Sequence, residues 1–535
     1  MKPNWKIRVD GRNLSNNELI NKALYLRGVE DIYEFLSPSR KHIHDSSCFK
    51  NIGPAANLFI STIRNRSNIL IYADVDVDGC TSAAIIYHYL RNFDITPKVH
   101  INTGKVHGIP KDFDTSLLAG IDLVIIVDSL NSEWEIYQKI LQLGTQIIVL
   151  DHHVPKQEIL EHQTDIHLVS SANDYLNPHL SGSGVCWKFV SFVDTLLNTS
   201  YSEELVDLAS VGIIADASSM MSMENRAICN IGFDYITNPG LLTMLEKDTM
   251  CSSDVGYSIA PLVNAANRVN DNETALRVFL STDTSEIKAL LAKLHEDKES
   301  QKIELEKFMP LLDQQAEQQT GKCLYIFLPS CGTLSGLLAT RAVDKYGKPT
   351  IVIGTETDTS YKGSMRATGV EDFSDLVNSS GVATCSGHEN SAGIEISKEH
   401  FSQFKEYIDT TLSDYVFDSS VNVDARINTY QITPFLLARI AEVNRLSGHN
   451  FPSFRVVIDG ITEYDTKPLS KGKHLSVQIP GLKCLYWNLP SWDDVHLGGE
   501  FSAVGVLSES TFAGKISTQL VMDDFLFDKH KETLW

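Results

Sequence analysis

The stretch ILIYADVDVDGCTSAAIIYHYL, residues 69–90, sets Asp74, Asp76 and Asp78 two residues apart, between an apolar run and a glycine followed by small residues. Ile69 to Tyr72, apolar and bounded by a turn signal, reads as a buried strand, and the residues after Gly79 carry apolar side chains at helical spacing. Carboxylates at such a junction lie where open α/β sheets bind ligands, outside the carboxyl ends of their strands. Like charges this close repel, and only a cation or a proton relieves them. A helix N-cap or a first-turn acid accounts for one aspartate of the three.

The pattern recurs. IDLVIIVDSLNS ends its apolar run on Asp128, and QIIVLDHHVP ends on Asp151, His152 and His153. Three strands, each followed by a helix-like stretch and each ending on polar residues, describe a parallel sheet with a site built from loops. LVDLASVGIIADASSM, with its small residues and Asp216, is more helical. Residues 285–318 have helix-forming composition, no glycine and one proline, Pro310, and read as a long connecting helix that kinks or ends near that proline. CLYIFLP, LSGLLATRAVDKYG and PTIVIG then make a second α/β unit reaching about residue 415. Short alternating stretches beyond about 416 suggest a small β-domain. The expected division is an N-terminal segment, 1–55, a first α/β domain, 56–280, the helix, 281–318, a second α/β domain, 319–415, and the β-domain, 416–535.

A chain of 535 residues exceeds one core, and no stretch is long and apolar enough for a membrane span or a signal core; the expectation is a cytoplasmic protein with no membrane contact. Nine cysteines without a C-x-x-C pair indicate neither a disulfide framework nor a zinc ribbon. The formal net charge of −22 argues against indiscriminate nucleic-acid binding, so a polyanionic substrate requires basic residues gathered in a groove. Asp74, Asp76, Asp78, Asp128, Asp151, His152, His153 and Asp216 form a carboxylate-rich set with imidazoles, suited to Mn²⁺ or Mg²⁺ rather than to thiolate-bound zinc. Two ions sharing a bridging carboxylate would clamp a phosphoryl centre.

At this point the sequence resembles the DHH phosphoesterases, through LDHHVP, through DVDVDG as D-x-D-x-D-G, and through VDSLN and GIIADASSM in family order. Within that superfamily it is most similar to the RecJ single-strand DNA exonucleases. YSIAPLVNAANRVND resembles their segment ending N-A-x-G-R, GSMRAT their G-S-G-R-S, and SGHENSAG the G-G-H-x-x-A-A-G of the DHHA1 domain. LSGHNFPSF and VGVLSESTFAGKISTQLVMDD resemble passages before and at the end of an OB-like domain. The implied fold is α/β: a parallel-sheet DHH domain and a DHHA1 domain joined by a long helix, plus a C-terminal OB-like β-domain. The implied activity is 5′-to-3′ hydrolysis of single-stranded DNA to mononucleotides by a two-metal activated water, in DNA repair or recombination, by a monomer with a single-strand-binding protein as a partner.

Carried over by position, the resemblance implies one ion on Asp74, Asp76 and Asp128 and a second on Asp78, Asp128, His152 and Asp216. Asp151 would orient an imidazole, and His153 would face the scissile phosphate. Asn264 and Arg268 match the phosphate-contacting segment, Ser364 and Arg366 the segment that receives a terminal phosphate, and His388 could approach the same substrate; a guanidinium fork suits phosphate oxygens. Tyr486, Trp487, Trp492 and Phe501 are candidate base-stacking residues. Gly182 and Gly184 in LSGSGVCWKF either cradle a phosphate at a helix N-terminus or allow close helix packing, the commoner role.

The chain departs from the family pattern in places. Cys331 stands at the position of a family histidine, Asn267 and Met365 at those of glycines, and INTGKVHGIP lacks the family's Arg and Tyr, for which Lys105 or His107 could substitute. The rival readings are a phosphodiesterase of short oligonucleotides or cyclic dinucleotides, and a non-catalytic nucleic-acid-binding replication component.

Overall fold

A computed structural model describes residues 4–104, 108–415, 420–489, 491–495, 499–512 and 515–528. The first domain is built on a five-stranded sheet in the order Lys98–Ile101, Ile69–Ala73, Leu123–Val127, Gln146–Asp151, Leu168–Ser170, with every neighbouring pair parallel. Ile69–Ala73 and Leu123–Val127 are buried at every residue. A strand covered on both faces needs an unbroken apolar run rather than alternation. The pleat then divides the two strands: Ile69, Ile71, Leu123, Ile125 and Val127 join one core, while Leu70, Tyr72, Val124 and Ile126 join another on the opposite face. The helices Val77–Arg91 and Gly182–Leu197 contribute to the first core and Trp134–Gln142 to the second.

Val77–Arg91 begins where it does because Asp76 caps it, accepting a hydrogen bond from the Gly79 N–H at 3.0 Å. The helix turns back closely on the strand it follows. A Cβ on Gly79 would lie 2.4 Å from the Asp74 carbonyl oxygen, so a side chain at this position would force the aspartate loop away from the helix. Val206–Ala215, buried almost all round, packs against Val77–Arg91 and ends at Asp216.

The connecting helix runs Thr284–Glu317 and is capped by Asp283. It continues through Pro310 instead of ending there, and its 34 residues span about 50 Å. The second domain has strands in the order Ala383–His388, Ser391–Ser397, Ser360–Arg366, Thr350–Glu356, Leu324–Phe327; only the last two pair in parallel. The helix Ser335–Tyr346 lies against this sheet.

The C-terminal OB-like part is an eight-stranded sheet centred on the long antiparallel pair Glu500–Phe512 and Lys515–Asp528. Its edge strand is the N-terminal Trp5–Asp10, paired in parallel with Val421–Arg426, so part of the segment set aside as 1–55 belongs to this sheet. Arg27 fastens the junction: its guanidinium donates to Asp424 at 2.6 Å and to the carbonyl of Pro452 at 2.6 Å, with both charged side chains buried. Among the aromatic residues considered for base stacking, Phe501 is wholly buried in the core, and Tyr486 packs edge-on against Phe525. Trp487 and Trp492 reach solvent. No helix among the described residues is long and apolar enough to cross a membrane.

Candidate metal centre

Strand ends gather the acids. Asp74 follows Ile69–Ala73, Asp76 caps the next helix, and Asp78 lies fully buried in that helix's first turn. Asp128 follows Leu123–Val127 in the left-handed region, φ 53°, and its N–H donates to the Leu150 carbonyl at 3.0 Å. That bond turns the carboxylate back over the sheet edge, where its Oδ1 lies 3.1 Å from His152 Nε2. His152 Nδ1 stands 3.8 Å from Asp216 Oδ2, and its Nε2 4.0 Å from Asp78 Oδ2.

Donor atoms converge in three sets, each within 4.8 Å: Asp74, Asp76 and Asp128; Asp78, His152 and Asp216; and Asp128, Asp151, His152 and His153. Asp128 belongs to the first and third sets, and its Oδ1 approaches His152 of the second. Carboxylate oxygens with one imidazole suit a hard or borderline divalent ion. Small residues clear the space: a Cβ on Gly182 would sit 2.9 Å from Asp128 Oδ1, and one on Gly212 would sit 2.2 Å from Asp78 Oδ1.

Burial and mutual repulsion show in the titration of these groups. Burial, then the charges of Asp78 and Asp76, push the Asp128 carboxyl well above the usual range. Asp216 is pushed up to about 7, mainly by burial, against the opposing pull of His152. His152 is raised: burial opposes its charge, but the charges of Asp216, Asp78, Asp151 and Asp76 together outweigh it. A divalent cation would reverse the cost for the acids, because it supplies the charge that their mutual repulsion lacks.

Asp151 has a different task. Its Oδ1 accepts from the N–H groups of His152 and His153, at 2.6 and 2.7 Å, and from His153 Nδ1 at 2.7 Å, while Oδ2 accepts from the Leu130 N–H at 2.6 Å. The imidazole it orients is therefore that of His153. The pair polarises both partners: Asp151 raises His153 to about 10, and Asp151, though burial opposes its charge, is held down to about 2 by His153. His153 remains half exposed, at the mouth of the acid cluster.

Gly182 does not cradle a ligand phosphate. The N–H groups of Gly182 and Ser183 donate to Asp78, at 2.7 and 3.1 Å, so the carboxylate of Asp78 already occupies this helix N-terminus. Sequence reasoning gave Asp78 a metal and the glycines a separate role; the structure joins them through pairing across 104 residues. It also missed an asparagine clamp on the loop after Lys98–Ile101. Asn102 accepts from the Tyr72 hydroxyl at 2.5 Å and donates to the Gly108 carbonyl at 2.7 Å, while Asn272 donates to the carbonyls of Asn102 and Gly104. Lys105 and His107, the suggested substitutes on that loop, lie outside the described residues.

The arginines meet from opposite domains. Arg268 ends the helix Ala260–Arg268 and donates to the Asn264 carbonyl at 2.8 Å; the Asn264 side chain makes no hydrogen bond among the described residues. Arg366 ends the strand Ser360–Arg366 and donates to its neighbour's carbonyl, Met365 O, at 2.7 Å. Burial first, then the charge of Arg366, push Arg268 down to about 10. Among the described residues, the hydrogen bonds of both guanidiniums go to main-chain carbonyls and not to carboxylates. Ser364 lies 2.9 Å, oxygen to oxygen, from Ser335. Met365, Asn267 and Cys331 are buried, and the Cys331 thiol is pushed up to about 11 by that burial. The side chain of His388 lies outside the described ones.

Residues 68–213 match the model of the DHH family, N-terminal domain. This region is a DHH domain. Beyond it, the chain is 26% identical to the single-stranded-DNA-specific exonuclease RecJ of Bacillus subtilis, over 99% of this chain and 71% of that protein. It is 28% identical to an SPbeta prophage-derived protein of the same organism named as a single-strand DNA-specific exonuclease, over 78% of this chain and 79% of that one. The crystal structure of Thermus thermophilus RecJ in complex with Mn²⁺ superposes on the fold with a TM-score of 0.77 at 23% identity, covering 99% of this chain and 80% of that one. The DHH domain thus sits inside an architecture shared along the whole chain.

Proposed function

We propose that this protein is a metal-dependent exonuclease that degrades single-stranded DNA from the 5′ end to mononucleotides, in DNA repair or recombination. The observation that carries the reading is a buried acid cluster gathered around Asp128, together with one partly buried arginine from each domain, Arg268 and Arg366, near enough that the charge of one shifts the other. Asp74, Asp76 and Asp128 would hold one Mn²⁺ or Mg²⁺ ion, and Asp78, Asp128, His152 and Asp216 a second. When bound, such ions polarise a phosphoryl group and lower the pKa of water.

The protein's own groups do the rest. Arg268 and Arg366 would grip the terminal phosphate with Asn264, Ser364 and His388, setting the first internucleotide linkage toward the acids. His153, held cationic by Asp151 at neutral pH, would donate to a non-bridging oxygen of the scissile phosphate as negative charge grows there. Trp487 and Trp492 offer exposed aromatic faces on the OB-like part for stacking bases further along the strand. The remaining proposals are that the protein acts as a cytoplasmic monomer and that a single-strand-binding protein presents the strand to it.

The test is digestion of an internally labelled, 5′-phosphorylated single strand with Mn²⁺ or Mg²⁺, beside circular and duplex DNA and an Asp128→Asn variant. Trimming of linear strand to mononucleotides, with circles intact and the variant inactive, is the expected outcome. Cleavage confined to di- to tetranucleotides would replace the reading with an oligonucleotide phosphodiesterase. Strand binding without cleavage under either ion would make the protein a binding module.

A further inference from the structure

The two arginines belong to different domains, so something must fix their spacing before a ligand arrives. Thr333 is placed to do so. It lies in the short turn Gly332–Leu334 that leads into the helix Ser335–Tyr346, and its Oγ1 donates to the main-chain carbonyl of Arg268 at 2.9 Å. That bond crosses from the second domain to the last residue of Ala260–Arg268. The turn is set by Gly332 in the left-handed region, φ 49°, and by Cys331, whose sulfur packs 3.2 Å from where a Cβ on Gly354 would lie. The same stretch also frames Arg366, because a Cβ on Gly336 would lie 3.1 Å from its Nη2, and Ser335 meets Ser364.

We infer that Thr333 is a positioning residue that sets Arg268 against Arg366 as a two-armed clamp for a phosphomonoester terminus, an inference resting on the terminal-phosphate reading above. Two guanidiniums repel when nothing lies between them, and Arg268 Nε is buried without a hydrogen-bond partner among the described residues. The pair therefore tends to splay. A hydrogen bond to main chain holds the helix end in place without using either guanidinium, which leaves both forks for the anion. A hydroxyl at position 333 thus governs discrimination between a phosphorylated and an unphosphorylated 5′ end while touching neither substrate nor metal.

The test separates this role from a general structural one and from catalysis. Binding of a 3′-labelled decanucleotide, with 5′-phosphate or 5′-hydroxyl, is measured by fluorescence anisotropy in EDTA for wild type, Thr333→Val, Thr333→Ala and Thr333→Ser, with thermal unfolding of each. Wild type is expected to prefer the phosphorylated strand. Valine and alanine should each cut that preference roughly three- to tenfold, as the loss of one hydrogen bond implies, and serine should retain it. An unchanged preference in the valine and alanine variants, or an equal weakening toward both strands, overturns the inference, as does a wild type without preference. Because the binding is read without metal, a protein that cleaves nothing in the digestion experiment but shows these preferences would sink the exonuclease reading and leave the clamp standing.

Discussion

Replacing Gly212 by alanine sets two effects of opposite sign against each other. Gly212 lies inside the helix Val206–Ala215, where Gly→Ala ordinarily gains about 1 kcal/mol of helix propensity. Here the added methyl would lie 2.0 Å from Ser183 Oγ, 2.7 Å from Ser183 Cβ and 2.2 Å from Asp78 Oδ1. Relief needs displacements of roughly 1 Å to restore ordinary contact. The serine oxygen can rotate, but the Ser183 Cβ and the aspartate cannot follow cheaply, since Asp78 is held by the N–H groups of Gly182 and Ser183. Overpacking costs about 1–3 kcal/mol, and each charge-assisted hydrogen bond strained adds up to about 1.5–3 kcal/mol. The clash exceeds the propensity gain, so Gly212→Ala should destabilise the first domain by about 2–4 kcal/mol. It should also weaken Mn²⁺ binding about 10- to 100-fold through the displaced Asp78. Thermal unfolding in EDTA and Mn²⁺ titration calorimetry measure the two effects. A variant that unfolds at or above the wild-type temperature and binds Mn²⁺ normally would refute the packing argument.

Asp128→Asn should abolish nuclease activity yet leave the metal-free protein at least as stable as wild type, because it removes a buried charge repelled by Asp78 and Asp76; melting curves in EDTA and in Mn²⁺ should show that only wild type gains from the ion. Asp128 and Asp216 have folded-state values raised above the unfolded one, so the folded metal-free state binds the extra protons, and their contribution to stability is fully present below about pH 4 and is lost as pH rises. For Asp216 the loss completes near pH 7. It follows that Mn²⁺ binding at pH 6 should release protons, seen as a dependence of the calorimetric heat on buffer ionisation enthalpy; a buffer-independent heat would contradict the raised values. Arg27→Ala leaves Asp424 buried without its main partner and should cost about 3–5 kcal/mol, with hydrogen exchange accelerating first in Trp5–Asp10 and Val421–Arg426.

What sequence made legible were elements whose physics is local. Apolar runs buried on both faces announce parallel strands, and acids at their ends announce a site; both are visible within a dozen residues of Asp74, Asp128 and Asp151. The second α/β unit and the connecting helix were readable from composition, although Pro310 suggested a break that a helix of this length absorbs. Relations between distant residues were not legible. Nothing near Asp78 indicates that its carboxylate caps a helix beginning at Gly182; in sequence the glycines there read as close helix packing or, less often, a phosphate cradle. The aromatic residues of the β-domain illustrate the same limit, since Phe501 and Trp487 carry equal stacking potential in sequence, yet Phe501 is buried in the core and Trp487 is half exposed. Thr333 carries no signal in the sequence, because its hydroxyl bonds to a carbonyl 65 residues away.

The parallel pairing of Trp5–Asp10 with Val421–Arg426 bears on the order of events during synthesis. Trp5–Asp10 is translated more than 400 residues before the strand it pairs with and has no sheet to join until then. At about 5–20 residues per second it waits tens of seconds or longer as an unpaired edge, exposed to mispairing. The DHH domain can meanwhile assemble from contacts much closer in sequence. Completion of this sheet therefore closes more than 400 residues of chain into a loop, and a lesion in Trp5–Asp10 would first be felt as a late folding failure in the β-domain.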